Sequence, residues 1–532
     1  MSTSDLPGFQ PDGSCQAIPD EVVLQRLANE LFSGAGGGSA PELPQSFAPA
    51  LSVPADSLAY ASFQPAEIPL PFENDLSEIL APLGALTAPA VTAAKPGWGS
   101  SFYFLDETRG ISQVGQQAVA GHPPFDVHAL RRDFPILQER VNGRQLIWLD
   151  NAATTHKPQS VIDRLAYFYQ HENSNIHRAA HELAARATDA YEEARAKSRN
   201  FLNAGSVNEI VFARGTTEAI NLVAKSWGRQ NIGEGDEIIV TWLEHHANIV
   251  PWQQLCAETG AKLKVVPVDN DGQVLLEEYQ KLLGSRTKLV SFTQVSNALG
   301  TVTPAKQMIE MAHRVGARVL LDGAQSVSHL RADVRYLGCD WFVFSGHKVF
   351  GPTGIGVLYG KEDLLNATQP WQGGGNMIED VTFEKTRYQA APARFEAGTG
   401  NIADAVGLGA ALDYVQKIGI ENIARHEHDL LLHATRLLGE IPGLRLIGTA
   451  PDKAGVISFV LHGIPTEQVG NALNEEGIAV RSGHHCAQPI LRRFGLESSV
   501  RPSLALYNTH AEIDALAAAV RRIQSGARPN LH

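Results

Sequence analysis

The chain has 532 residues, enough for more than one folded unit, and 44% of them are hydrophobic, enough for a large core. Its formal net charge of −13 argues against a nucleic-acid binder, which presents a basic face. The four cysteines (Cys15, Cys256, Cys339, Cys486) form neither a disulfide framework nor a CxxC metal pattern, which fits a reducing compartment.

In chain order, the opening MSTSDLPGFQ has no basic and no apolar region of the secretory kind. No apolar run reaches membrane-spanning length. A soluble, cytoplasmic protein is therefore expected, with no membrane and no nucleic acid among its partners. Residues 1–124 hold 15 of the 29 prolines, a Gly34–Ser39 run rich in glycine, and a net charge of −10, against −3 for everything after them. Such a composition buries too little apolar surface to offset backbone ordering, so a disordered leader is expected. One island differs. Pro19-Asp20 precedes Val23, Leu24, Leu27, Ala28 and Leu31, and Gly34 closes the run, which predicts a capped, one-faced helix near residues 20–33. Two readings stay open for it: a transient helix with no role, or a docking peptide that folds on a partner. Leu76, Ile79, Leu80 and Leu83 repeat the pattern more weakly.

From Phe125 the texture changes. β-rich runs at Glu209–Phe212, Glu237–Val240, Lys288–Phe292 and Arg318–Leu321 alternate with helical stretches. That alternation predicts an α/β fold, a mostly parallel sheet covered on both faces, with its ligand beyond the carboxyl ends of the strands. The residues following each strand therefore matter most.

After the first run comes Arg214-Gly215-Thr216-Thr217-Glu218, with a helical stretch near Ala219. A glycine turn with hydroxyls at a helix start suits a phosphate, although threonine is also an ordinary N-cap. After the second comes Glu244-His245-His246-Ala247-Asn248, where a histidine can stack on a cofactor ring and move protons. A paired histidine also suits a metal, but no further ligand at the right spacing joins it, so no metal site is expected. Asp322-Gly323-Ala324-Gln325 ends the fourth run, and Ser345-Gly346-His347-Lys348 follows Trp341–Phe344. A strand-end aspartate followed by a strand-end lysine is what pyridoxal phosphate requires: a carboxylate for the pyridine nitrogen and an amine for the Schiff base. Ser345 and His347 can add hydrogen bonds to the phosphate. Finally, Arg481-Ser482-Gly483-His484-His485-Cys486 places a cysteine among positive and imidazole groups that favour its thiolate. Cys256 and Cys339 read instead as small buried hydrophobes.

Together with Leu149-Asp150-Asn151-Ala152-Ala153, Gly373-Gly374-Gly375 and the short approach to Cys486, these motifs resemble group II (SUF-type) cysteine desulfurases, over about Phe134–Ile523. The resemblance implies the fold of type I pyridoxal-phosphate transferases. A large domain with a mainly parallel seven-stranded sheet would span 125–415, with 125–150 packing on a smaller C-terminal α+β domain at 416–532. It implies a homodimer with active sites at the subunit interface. Lys348, Cys486 and His245 would be catalytic. Asp322 would hold the pyridine nitrogen, Gln325 the ring hydroxyl, and Thr216, Thr217, Ser345 and His347 the phosphate, joined by Thr399 of the partner subunit. Asn297 and Arg501, with Arg481 nearby, would hold the carboxylate of L-cysteine. Phe395-Glu396-Ala397-Gly398-Thr399 continues as Gly400-Asn401 where the family often has Pro-Asn. The product would be alanine and a persulfide on Cys486, for an acceptor protein and iron–sulfur assembly. Selenocysteine lyase and cysteine-sulfinate desulfinase activities need nearly the same residues and stay open as alternatives. The acidic leader resembles the cargo-loading region of desulfurases packaged in encapsulin shells of the second family.

Overall fold

The computed structural model describes residues 125–177 and 180–526; the disorder expected of residues 1–124 and the helix expected near 20–33 lie outside the described residues. Its centre is a seven-stranded sheet of β1 (Ile210–Ala213), β2 (Glu237–Thr241), β3 (Lys262–Val266), β4 (Thr287–Thr293), β5 (Arg318–Asp322), β6 (Trp341–Ser345) and β7 (Gly356–Gly360). The spatial order is β1-β7-β6-β5-β4-β2-β3. The five strands from β2 to β6 run parallel to their neighbours among themselves, and β7 runs antiparallel to both β1 and β6.

Every residue of β1, β2, β6 and β7 is buried, as a sheet covered on both faces demands of nearly unbroken apolar runs. The edge strand β3 instead carries Lys262 and Lys264, and Lys264 pairs with buried Glu237 at 2.9 Å. Charged edges of this kind resist pairing with another sheet. The expected strand at Glu209–Phe212 lies one residue further on. Glu209 is taken by a capping box with Ser206, its carboxylate accepting from the Ser206 N–H, so pairing starts at Ile210.

Around this sheet lie α1 (Gln159–His171), α2 (Glu182–Phe201), α3 (Thr216–Val223) and α4 (Ile402–Ile418), with α4 lying across α1 and α2. The helix expected near Ala219 begins at Thr216, directly after Gly215. Downstream, α5 (Ile420–Gly439) and α6 (His510–Gln524) pack on each other beside an antiparallel sheet. Its strands are β8 (Leu444–Ile447), β9 (Ser458–Leu461), β10 (Arg481–Gly483) and β11 (Ser499–Arg501), in the order β8-β9-β11-β10. Ile478-Ala479 pairs in parallel with Ile147-Trp148, which brings Asp150 beside the start of β10. Among the described residues no helix is long and apolar enough to cross a membrane.

Asp340, just before β6 and wholly buried, sets the register of β5 against β6 from the end opposite the carboxyl ends. It accepts from the Val319 N–H at 2.8 Å, Arg318 Nη1 at 3.0 Å and Lys361 Nζ at 3.0 Å, and meets His313 Nε2 at 2.8 Å. Burial alone would raise its pKa, but the hydrogen bond from His313 and the charge of Lys361 outweigh that and hold it at about 2. A depressed carboxyl stabilises the fold above its unfolded pKa and loses that contribution as pH falls towards the folded value. Asp340→Asn should therefore cost about 2 kcal/mol at pH 7. In denaturant titrations across pH, the deficit should hold down to about pH 4 and shrink below it.

Candidate active site

Beyond the carboxyl ends of the central strands lies a cavity of about 620 Å³ whose walls include Thr216, His245, Asp322, Lys348, Cys486 and Arg501. The loops after β1 and β6 build one corner. Gly215 has φ +151°, and a Cβ there would sit 3.1 Å from Ser345 Oγ. That space lets the Thr216 N–H and hydroxyl both lie 2.9 Å from Ser345 Oγ. Thr217 and His347 line the same wall. Burial, then the charges of Lys348 and Lys157, hold His347 uncharged with a pKa of about 4. The start of α3 thus offers backbone N–H groups and neutral donors, a setting that fits a phosphate.

The base of the cavity is made by β5 and the turn after β6. Asp322 is buried and accepts the Ala324 N–H at 2.8 Å. Burial raises its pKa, while the Ala324 bond and the Lys348 charge oppose the rise. Burial in turn lowers the Lys348 amine to about 8, with Asp322 resisting. Gln325 Nε2 donates to the Ala152 carbonyl at 2.6 Å, which fixes the orientation of its amide. Burial, then Lys348, His246 and Arg501, keep His245 neutral at about 3. Its Nδ1 accepts from the Ala247 N–H at 3.0 Å, leaving the ring proton on Nε2.

A third corner holds the arginines. Arg501 is buried, donating from Nη1 to the Asn297 carbonyl at 2.9 Å and from Nη2 to Asp150 at 3.2 Å. Arg481 places Nη2 2.8 Å from the other oxygen of Asp150. Arg501 Nε and Asn297 Oδ1 are buried without a protein partner. A donor and an acceptor left over in one corner fit a ligand carrying both a carboxylate and an amine.

Over this corner lies the loop of Cys486, which is exposed. His485 and Cys486 both adopt left-handed backbone, with φ of 54° and 53°. Four hydrogen bonds hold the turn: His246 N–H to the Cys486 carbonyl at 2.8 Å, Cys486 N–H to His484 Nδ1 at 3.0 Å, Asn297 Nδ2 to the His485 carbonyl at 2.7 Å, and His485 Nε2 with Ser499 Oγ at 2.9 Å.

Comparison with known proteins places this geometry. The profile of the aminotransferase class-V family matches residues 147–516. A cysteine desulfurase of Synechococcus elongatus is 72% identical over 449 residues, covering 81% of this chain and 72% of that protein. A cysteine desulfurase of Klebsiella pneumoniae is 51% identical over 400 residues, covering 75% of this chain and 98% of the relative. Among solved structures, the cysteine desulfurase CsdA of Escherichia coli superposes with a TM-score of 0.71 at 39% identity, covering 76% of this chain and all of that one. The chain belongs to the cysteine desulfurases of the class-V aminotransferase family.

Within this desulfurase the residues expected of the chain's own site converge, Thr399 being expected only from the partner subunit. Thr216, Thr217, His245, Asn297, Asp322, Gln325, Ser345, His347, Lys348, Arg481, Cys486 and Arg501 all line the cavity. Thr399 does not: it is exposed and lines a separate groove with Asn173, Ser174 and Asn175. Its loop is pinned by Glu396, which takes a bidentate pair from buried Arg195 at 2.7 and 3.0 Å and the Phe212 N–H at 2.8 Å. His485 departs from expectation. Its ring is buried against Ser499 and held neutral at about 3 by burial and then by Arg501, so it adds no positive charge beside Cys486. Cys339 is buried, and burial lifts its thiol to about 12; Cys256 is half-buried rather than enclosed, its thiol also raised by burial. Sequence reasoning assigned no role to Asp150, the shared partner of both arginines, or to Ser499. The available signal was the aspartate inside Leu149-Asp150-Asn151-Ala152-Ala153. Among the described residues no cluster of His, Cys, Asp and Glu is placed to hold a metal ion.

The desolvated amine gives a direct test. In the cofactor-free enzyme, acylation of Lys348 by a small amine reagent, read by peptide mapping, should rise with pH to a midpoint near 8. Exposed lysines should titrate near about 10.4.

Proposed function

We propose that the chain converts L-cysteine to L-alanine and takes the sulfur onto Cys486 as a persulfide, with pyridoxal 5′-phosphate held covalently at Lys348. The observation that carries this reading is the meeting in one cavity of a strand-end carboxylate, a lysine amine held near 8 and an exposed thiol. When bound, pyridoxal phosphate supplies the electron sink for the substrate carbanion.

The chain's own residues do the rest. Asp322 would keep the pyridine nitrogen protonated, and Gln325, its amide fixed by Ala152, would meet the ring hydroxyl. His245, a neutral imidazole, would stack on the ring. Thr216, Thr217, Ser345 and His347 would hold the phosphate. Arg501 and Asn297 take the substrate carboxylate, with Arg481 behind them on Asp150. Lys348, released from the cofactor as the substrate amine takes its place, would remove the Cα proton as a free amine. Cys486 Sγ attacks the substrate sulfur, a new S–S bond forming as the Cβ–S bond breaks. The bond's electron pair stays with the three-carbon fragment, which is protonated and leaves as alanine.

Around this centre we read a group II, SUF-type enzyme serving iron–sulfur assembly through an acceptor protein. It works as a homodimer in which Thr399 of the partner subunit completes the phosphate site, and its exposure in one subunit supports that. Residues 125–415 act as the large cofactor-binding domain and 416–532 as the small domain. The leader directs the enzyme into an encapsulin shell within the cytoplasm. The Synechococcus elongatus relative, matched over 72% of its length against 98% for the Klebsiella pneumoniae protein, also has sequence outside the shared region.

Cys486→Ser should keep the cofactor's yellow absorption yet lose alanine production by at least about a thousandfold, the scale of losing a covalent nucleophile. Cys256→Ser and Cys339→Ser should turn over like wild type. A colourless protein that pyridoxal phosphate does not reconstitute overturns the reading.

Deleting residues 1–120 should leave cofactor and alanine production unchanged while abolishing co-sedimentation with co-expressed shell protein. Equal loading of both forms would remove the docking role.

A further inference from the structure

Glu244 is a fully buried carboxyl next to the lining residue His245, and the proposed reaction leaves it without a task. It precedes His245 directly, shows no exposed surface, and lies close enough to Asp322 to feel its charge. Thr241 Oγ1, at the end of β2, is 2.5 Å from its Oε1. Asn248 Nδ2, beyond the histidine pair, donates to Oε2 at 2.7 Å. The Thr293 backbone at the end of β4 also donates to this carboxyl, and Thr293 pairs in register with Asp322. One carboxyl thus ties together the ends of two strands and both sides of the turn that carries His245.

We propose that Glu244 is a positioning residue for this reaction, locking the His245 turn over the cofactor from beneath the cavity. The inference rests on the cofactor reading above.

Its hydrogen bonds define how it does so. Asn248 Oδ1 accepts from Trp252 Nε1 at 2.9 Å and from Ser291 Oγ at 2.5 Å. Indole nitrogen only donates, so the Asn248 amide has one orientation and Oε2 of Glu244 must accept. Oε1 is the oxygen that faces Thr241. Burial, with Asp322 adding to it, raises this carboxyl to about 8, against the hydrogen bonds from Thr241 and Asn248. That rise favours the protonated acid beside Asp322. A glutamine reproduces this arrangement, its oxygen towards Asn248 and its amide towards Thr241. A leucine fills the volume and anchors nothing.

The test uses the cofactor-loaded full chain and two readouts, the cofactor absorption band and the kcat/KM split with L-cysteine. Glu244→Gln should match wild type in both, with kcat within about twofold. Glu244→Leu should shift the band and lower kcat by about tenfold or more with KM within about threefold, because a displaced ring harms the reacting geometry rather than carboxylate binding. Thr241→Val, which keeps side-chain shape and removes the Oε1 partner together with the acceptor of the Leu243 N–H, should shift the band in the same direction with a smaller loss. Should Glu244→Leu fail to fold, Thr241→Val decides by the same two readouts. Wild-type band and kcat in the folded variants that lack the anchor would overturn the proposal. So would a Glu244→Gln variant as impaired as the leucine, since charge and not anchorage would then matter. A wild type without any cofactor band overturns the cofactor reading itself, which keeps the two failures distinct.

Discussion

The site depends on two opposite charges drawn into one dry space. Asp322 and Lys348 follow adjacent strands, β5 and β6, and each is desolvated where it stands. Burial pushes the carboxyl up and the amine down, and each restrains the shift of the other. Neither would persist alone, because an unpaired buried charge neutralises instead. The result is a base with a free-base share at neutral pH above a carboxylate that can stay ionised opposite a cation. Parallel pairing of β2, β4, β5 and β6 brings this about, since it delivers all four carboxyl ends to one edge of the sheet.

A second charge balance governs the arginine corner. One carboxylate, Asp150, carries two guanidinium groups, Arg481 and Arg501. Burial and then nearby Arg481 lower Arg501 to about 10, with Asp150 opposing. Arg501 therefore enters the cavity partly compensated but with Nε still unpaired, ready for an anion. Asp150 is brought here by the parallel pairing of Ile147-Trp148 with Ile478-Ala479 and by its own bridge to Ser503, so the geometry of the corner depends on segments far apart in the chain meeting.

The parts of the site legible in the sequence are those written into single strand–loop units. Asp322, Lys348 and Thr216 each follow a short apolar run, and a parallel sheet converts that local pattern into a shared location. What stayed illegible is set by contacts between distant segments. Asp150 meets Arg501 across 351 positions, and Asn297 meets the His485 carbonyl across 188, with no periodicity marking either. Glu244 was legible as a motif member but not as an anchor, because its role follows from Asn248 being oriented by Trp252. Thr399 shows the complement. Its loop reads clearly in sequence, yet within one chain Glu396 and Arg195 hold it at a different surface.

The Cys486 loop then has a physical logic of its own. Two successive non-glycine residues in left-handed backbone cost about 1 kcal/mol each or more, so the turn needs outside support to persist. Three of its four hydrogen bonds come from elements that also build the cavity: His246 adjoins His245, Asn297 adjoins Arg501, and Ser499 lies two residues before Arg501 on β11. Asn297 is the junction, since its carbonyl holds Arg501 while its amide holds the loop. A ligand that draws on the free Oδ1 of Asn297 or the free Nε of Arg501 therefore pulls on the same frame that holds Cys486. Exposure of the thiol and rigidity of its backbone are thus compatible: the side chain is exposed at the cavity, while the peptide groups on either side are fixed to the corner of Arg501 and Asn297.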